Sequence, residues 1–116
     1  MKILHHEKNF HYTDRELLLV VRKIGKMATY CKRVKDEGSL IRVEVENRAT
    51  KKERDQLKMA ITVELPGKTL RAESRKSTIA EVVERCIEKL EPQLKKYKEL
   101  HSKKVRIKKK RVTNNQ

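Results

Sequence analysis

Four histidines, two cysteines and 31 lysine and arginine residues are the groups through which this 116-residue chain could do chemistry or hold a charged ligand. His5, His6, His11 and His101 have no zinc-site spacing and there is no CxxC, so neither a metal nor a cofactor is expected. The adjacent pair His5-His6 would bind a metal only weakly. Cys31 and Cys86 fall on the apolar sides of predicted helices, where a thiol serves as a small core residue rather than as half of a disulfide. A Gly-rich phosphate loop, a nucleophile elbow and a catalytic cluster of acids and histidines are all missing, and the chain does not read as an enzyme. What remains is cationic: 31 bases against 16 acids give a formal charge of +15, the signature of a protein that meets a polyanion.

The elements that must carry these charges follow from hydrophobic period. Residues 2–8, KILHHEK, form a short strand in which Ile3 and His5 share one face and Leu4 and His6 the other; either pair could be inward. Thr13 with Glu16 has capping-box spacing and opens a helix over about residues 13–34. Leu17, Val20, Val21, Ile24, Met27, Ala28 and Cys31 form its apolar side, and Arg15, Arg22, Lys26 and Arg33 lie roughly opposite. A row of cations opposite a core is also what a plain solvated face looks like. Here the only acids, Asp14 and Glu16, sit in the first turn where the helix dipole favours them, which tilts the reading towards binding. Gly25, inside the pattern, marks either a close helix contact or a weak point.

LIRVEVEN, residues 40–47, alternates as a strand with one wet face. The polar NRATKKERDQ that follows is an exposed connection, and LKMAITVEL, residues 57–65, is the next strand. Pro66-Gly67 suits the centre of a type II turn and returns the chain through Leu70 and Ala72. Thr78 with Glu81 repeats the capping spacing, and Ile79, Val83, Cys86, Ile87, Leu90, Leu94 and Tyr97 form one apolar stripe. On that second helix Arg85, Lys89 and Lys96 take one flank, and Glu84, Glu88 and Glu91 take the other. Pro92 predicts a kink or a break near residues 88–92.

These elements predict an α+β domain over residues 1–101, β-α-β-β-β-α, with a four-stranded sheet covered on one face by two helices. A basic tail, residues 102–116, carries Lys103, Lys104, Arg106, Lys108, Lys109, Lys110 and Arg111 and no acid, and is expected to be disordered until it meets a polyanion. Taking its seven charges from +15 leaves +8 on the folded part. The basic line of helix one and the cationic flank of helix two would form a single strip if the helices lie suitably side by side. No apolar run spans a bilayer and no signal peptide opens the chain, so a cytoplasmic monomer is expected, with no membrane and no small-molecule substrate.

Four aromatic residues, Phe10, Tyr12, Tyr30 and Tyr97, are too few to grip single-stranded bases by stacking. Recognition should be of backbone and shape, as a folded RNA presents them. A general RNA-binding or structural ribosomal protein is the alternative that charge alone leaves open.

Three segments in this order, KNFHYTD before helix one, the LPGKTLRAE hairpin and EKLEPQLKKYK in helix two, resemble the bacterial ribosome hibernation promoting factors, also called ribosome-associated inhibitor A or sigma-54 modulation proteins. The resemblance covers about residues 1–98 and implies binding to ribosomal RNA of the small subunit, in the channel of messenger RNA and of A- and P-site transfer RNA. It thereby implies translation silencing in resting or stressed cells. Family basic positions match Lys23 and Lys26, then Lys89, Lys95 or Lys96, and Lys98; Tyr30 matches an aromatic position. Three features depart from the family. Thr78, Ile79 and Ala80 stand where Asp-Met-Tyr often opens helix two, Pro92 replaces a common arginine, and His5 takes an often apolar place. By length and tail the chain is similar to the short members.

Overall fold

The chain runs β1 (Lys2–Lys8), α1 (Asp14–Tyr30), β2 (Leu40–Asn47), β3 (Leu57–Leu65), β4 (Lys68–Lys76) and α2 (Ile79–Asn114). The computed structural model describes residues 1–36, 38–48 and 56–114, with side chains as far as residue 100. All four strands join one sheet in the order β1-β2-β3-β4. β1 runs parallel to β2, and the other pairs are antiparallel. A parallel neighbour cannot be reached by a tight turn, so α1 serves as the crossover. The predicted β-α-β-β-β-α order is the observed one.

Alternation decides which face is covered. Ile41, Val43 and Val45 of β2 and Met59, Ile61 and Val63 of β3 are buried. Val20, Ile24 and Met27 of α1 and Val83, Cys86, Leu90 and Leu94 of α2 close over them in a single core. Each fully buried aliphatic side chain contributes about 1.5–3 kcal/mol of transfer free energy, opposed by the ordering of the chain. The Cys86 thiol donates to the Met59 carbonyl at 3.5 Å, and burial pushes its pKa up to about 12.

Local signals place the elements. Thr13 Oγ1 accepts from the Glu16 N–H at 3.2 Å while the Glu16 carboxylate accepts from the Thr13 N–H at 2.9 Å, completing the box that starts α1. Thr78 Oγ1 accepts from Glu81 N–H at the start of α2. Gly67, at φ 75°, takes the left-handed position of the turn between β3 and β4. The first strand shows one face to the core: Ile3 packs against it, and the His5 ring meets Tyr12 edge-on at 5.7 Å. Leu4 is exposed.

Four expectations meet corrections or limits. α1 ends at Tyr30 rather than near 34, because Cys31 is extended (φ −155°, ψ 112°) and a 3-10 turn, Lys32–Lys35, follows. Val34, within that 3-10 turn, still reaches the core, where it is fully buried. Ser39, itself buried, ties the connection down by its hydroxyl, which reaches the carbonyls of Val34 and Asp36. α2 is not broken at Pro92 but continues as one element to Asn114. Lysine and arginine are good helix formers, and no Gly or Pro follows Pro92 to stop the helix. A Cβ on Gly25 would meet nothing within 4 Å, so this glycine marks no close helix contact. The connection at 49–55 lies outside the described residues.

Candidate nucleic-acid interface

Helix packing decides which cations can act together. Lys23 Nζ of α1 lies 2.5 Å from Glu84 Oε2 of α2. Seven residues further along each helix, Tyr30 hydrogen bonds the Glu91 side chain and lies under Lys95, whose Nζ is 5.6 Å from the ring centroid. Matching contacts that advance in the same direction on both helices mean that α1 and α2 run parallel, side by side. The acidic flank of α2 therefore faces α1.

Its cationic flank faces the other way. Lys89 Nζ donates to the Glu73 carbonyl at 2.6 Å, Gln93 Nε2 to the Arg71 carbonyl at 3.2 Å and the Tyr97 hydroxyl to the Pro66 carbonyl at 2.9 Å. Those contacts fasten α2 along β4. The single strip joining the basic line of α1 to Arg85, Lys89 and Lys96 is thus not formed: the row Glu84, Glu88 and Glu91 lies between them. The structure instead brings Lys23, Lys26 and Tyr30 together with Lys95, and helical spacing puts Lys98 on the face of Glu91 and Lys95.

The remaining residues fall around this group. Arg22 and Lys26 are exposed on the outer side of α1, and Arg33, in the 3-10 turn, lies 4.0 Å from Asp36. Arg85 is exposed and 3.0 Å from Glu88, one helical turn away. Lys96, also exposed, borders a shallow recess with Tyr97, Leu100, Gln93, Lys68 and Leu70. Lys103, Lys104, Arg106, Lys108, Lys109, Lys110 and Arg111 follow on the backbone of α2, and their side chains lie outside those described.

Electrostatics sharpen the site. The Lys23 ammonium holds the Glu84 carboxyl below the ordinary range, chiefly by direct hydrogen bonding. For Tyr30, partial burial first and then the bond to Glu91 make the phenol harder to ionise, so it stays a neutral donor. Because the helices are parallel, their acid-bearing first turns, Asp14, Glu16 and Glu81, lie at one end of the pair. Lys26, Lys32, Arg33, Lys35, Lys95, Lys96 and Lys98 gather towards the other. Phosphates held at intervals fit this end, each displacing a counterion.

The opposite face of the sheet offers no comparable field. There Lys8 meets Glu46 at 3.7 Å, Arg42 meets Glu64 at 3.7 Å, and Arg71 pairs with Glu73. Among the described residues no cluster of His, Cys, Asp or Glu could hold a metal ion, and no helix is long and apolar enough to cross a membrane. The part played by Glu84 and Glu91 is absent from the sequence reading; their shared flank is visible there, but the neighbour it faces is set by packing.

Comparison with known proteins agrees with this architecture. The profile of a family described as sigma 54 modulation protein / S30EA ribosomal protein matches residues 3–102. Two solved structures are similar: the Protein Y N-terminal domain of Thermus thermophilus, 25% identical with a TM-score of 0.63, and a ribosomal subunit interface protein from Coxiella burnetii, 26% identical with a TM-score of 0.68. The first alignment covers 83% of this chain and 94% of the other; the second covers 84% and 98%. No curated protein sequence matches the chain significantly.

Proposed function

We propose that this chain, which belongs to the sigma 54 modulation protein / S30EA ribosomal protein family, is a ribosome-associated translation inhibitor that binds the small subunit through ribosomal RNA phosphates. In this reading it occupies the channel of messenger RNA and of A- and P-site transfer RNA in resting or stressed cells. The observation that carries the proposal is the gathering of Lys23, Lys26, Tyr30 and Lys95 by two parallel helices at the basic end of the molecule. The name of the Coxiella relative, a ribosomal subunit interface protein, supports the choice of ribosome as partner. Scarce aromatic residues favour recognition of a folded RNA backbone over single-stranded bases.

Co-sedimentation with purified small subunits tests it, with and without bound messenger and transfer RNA and at two salt concentrations. Saturable binding that those RNAs prevent is expected. Binding that is unsaturable and equally good on unrelated RNA would instead identify a general RNA-binding protein. Lys26, Lys95 and Lys98 are exposed, so changing all three to Glu should weaken subunit binding by about a hundredfold while the circular dichroism spectrum is retained. Unchanged affinity in that variant would move the site off the helix pair.

A further inference from the structure

The two edges of the sheet are treated differently. On β4 the carbonyls of Arg71 and Glu73 accept from Gln93 and Lys89 of α2, so hydrogen-bonding groups on that edge are already occupied. Edge strands in soluble proteins are commonly blunted by such devices. β1, the other edge, has no neighbour on its outer side among the described residues. Lys2 N–H donates to the Ser39 carbonyl. Alternation along a parallel ladder then turns Lys2, Leu4, His6 and Lys8 towards β2, and leaves the backbone N–H and C=O of Ile3, His5 and Glu7 facing outward.

Apolar groups collect at this same edge. Of the six large hydrophobic side chains that are exposed among the described residues, Met1 adjoins β1 and Leu17, Leu18 and Val21 belong to α1, while Leu4 of β1 lies on the opposite face of the sheet from Ile3. Spacing puts Leu17 and Val21 on the flank of α1 turned away from α2. Since α2 packs on β3 and β4, that flank overhangs the β1 side of the sheet. Isolated exposed hydrophobics need no explanation, but a group beside an unpaired strand makes the two halves of a strand-binding groove: backbone donors and acceptors below, an aliphatic wall above.

We infer that the β1 edge is a docking site for an extended polypeptide segment of another protein, one in which aliphatic residues alternate with carboxylates, added as a fifth strand. The aliphatic residues would lie against Leu17 and Val21. The carboxylates answer the charge of the edge, where Lys2, Lys8, Arg15 and the N-terminal ammonium stand against Glu7, Asp14 and the Glu46 already paired with Lys8, on a chain of +15. A second copy would bring its own Lys2, Lys8 and +15 to the same place, which argues against self-pairing.

Amide hydrogen exchange on the isotopically labelled full chain tests this, using as probe an N-acetylated peptide of about nine residues alternating valine and glutamate. Exchange at Ile3, His5 and Glu7 is expected to slow by about tenfold or more, while Leu4 and His6, already paired with β2, change little. Changing both Leu17 and Val21, which are exposed, to Glu should weaken the peptide by about tenfold with the fold intact. His5→Pro, which removes the central donor, should do the same. No slowing with the peptide would overturn the proposal. So would equal slowing by a serine-glutamate peptide, which would indicate charge attraction alone, by an oligoribonucleotide, or by raising the protein concentration with no peptide present.

Discussion

Lys23 and Glu84 show how one pair of side chains sets the strength of the basic surface. The ammonium is already engaged with a carboxylate at 2.5 Å, so a phosphate must displace Glu84 before it gains Lys23. Glu84→Gln should therefore raise affinity for the small subunit by about threefold to tenfold at low salt, and steepen the logarithmic salt slope by about 0.7–0.9. Titrations at several salt concentrations measure both. Stability should change by no more than about 1 kcal/mol, because both side chains are partly exposed. At this scale the sequence is legible in part. Lys26 and Lys95 can be identified from spacing or family likeness, and the Glu84–Glu91 flank is plain, but its opposition to Lys23 and Tyr30 depends on two helices some 60 residues apart in the chain lying parallel, which no local pattern encodes.

Elements follow their signals closely where the signals are local and depart where packing overrides them. The Thr13–Glu16 box, the Pro66-Gly67 turn and the alternation of β2 and β3 all act over a few residues, and each yields the element it predicts. Cys31 has no breaker beside it, yet the helix stops there, and Val34 of the 3-10 turn that follows is buried in the core. The reverse holds at Pro92, an exposed position where α2 tolerates the missing hydrogen bond and holds its line through Leu94, buried in the core. Gly25 is the weak point left in α1. With open space around its Cβ position, Gly25→Ala should stabilise the fold by about 1 kcal/mol and raise the melting temperature by a few degrees, measurable by calorimetry.

The whole molecule is electrically polar from end to end, and α2 sets the axis. At about 1.5 Å per residue its 36 residues span roughly 54 Å, and the long dimension of the molecule is 67 Å. Charge increases along that axis, from the acid-bearing first turns to seven uncompensated bases after residue 101. Deleting residues 102–116 should weaken subunit binding and flatten its salt slope without abolishing it, since Lys23, Lys26 and Lys95 remain; complete loss in co-sedimentation would make the C-terminal segment the principal anchor. Topology adds a consequence in time. β2, β3, β4 and α2 pair with sequence neighbours, whereas Lys2 must find Leu40 across the whole α1 crossover, a closure that contributes nothing until both ends meet. The first residues made are thus among the last to gain partners. Substitutions such as Ile3→Val should speed unfolding and leave the folding rate nearly unchanged, whereas Ile61→Val should slow folding, an ordering that stopped-flow kinetics can read.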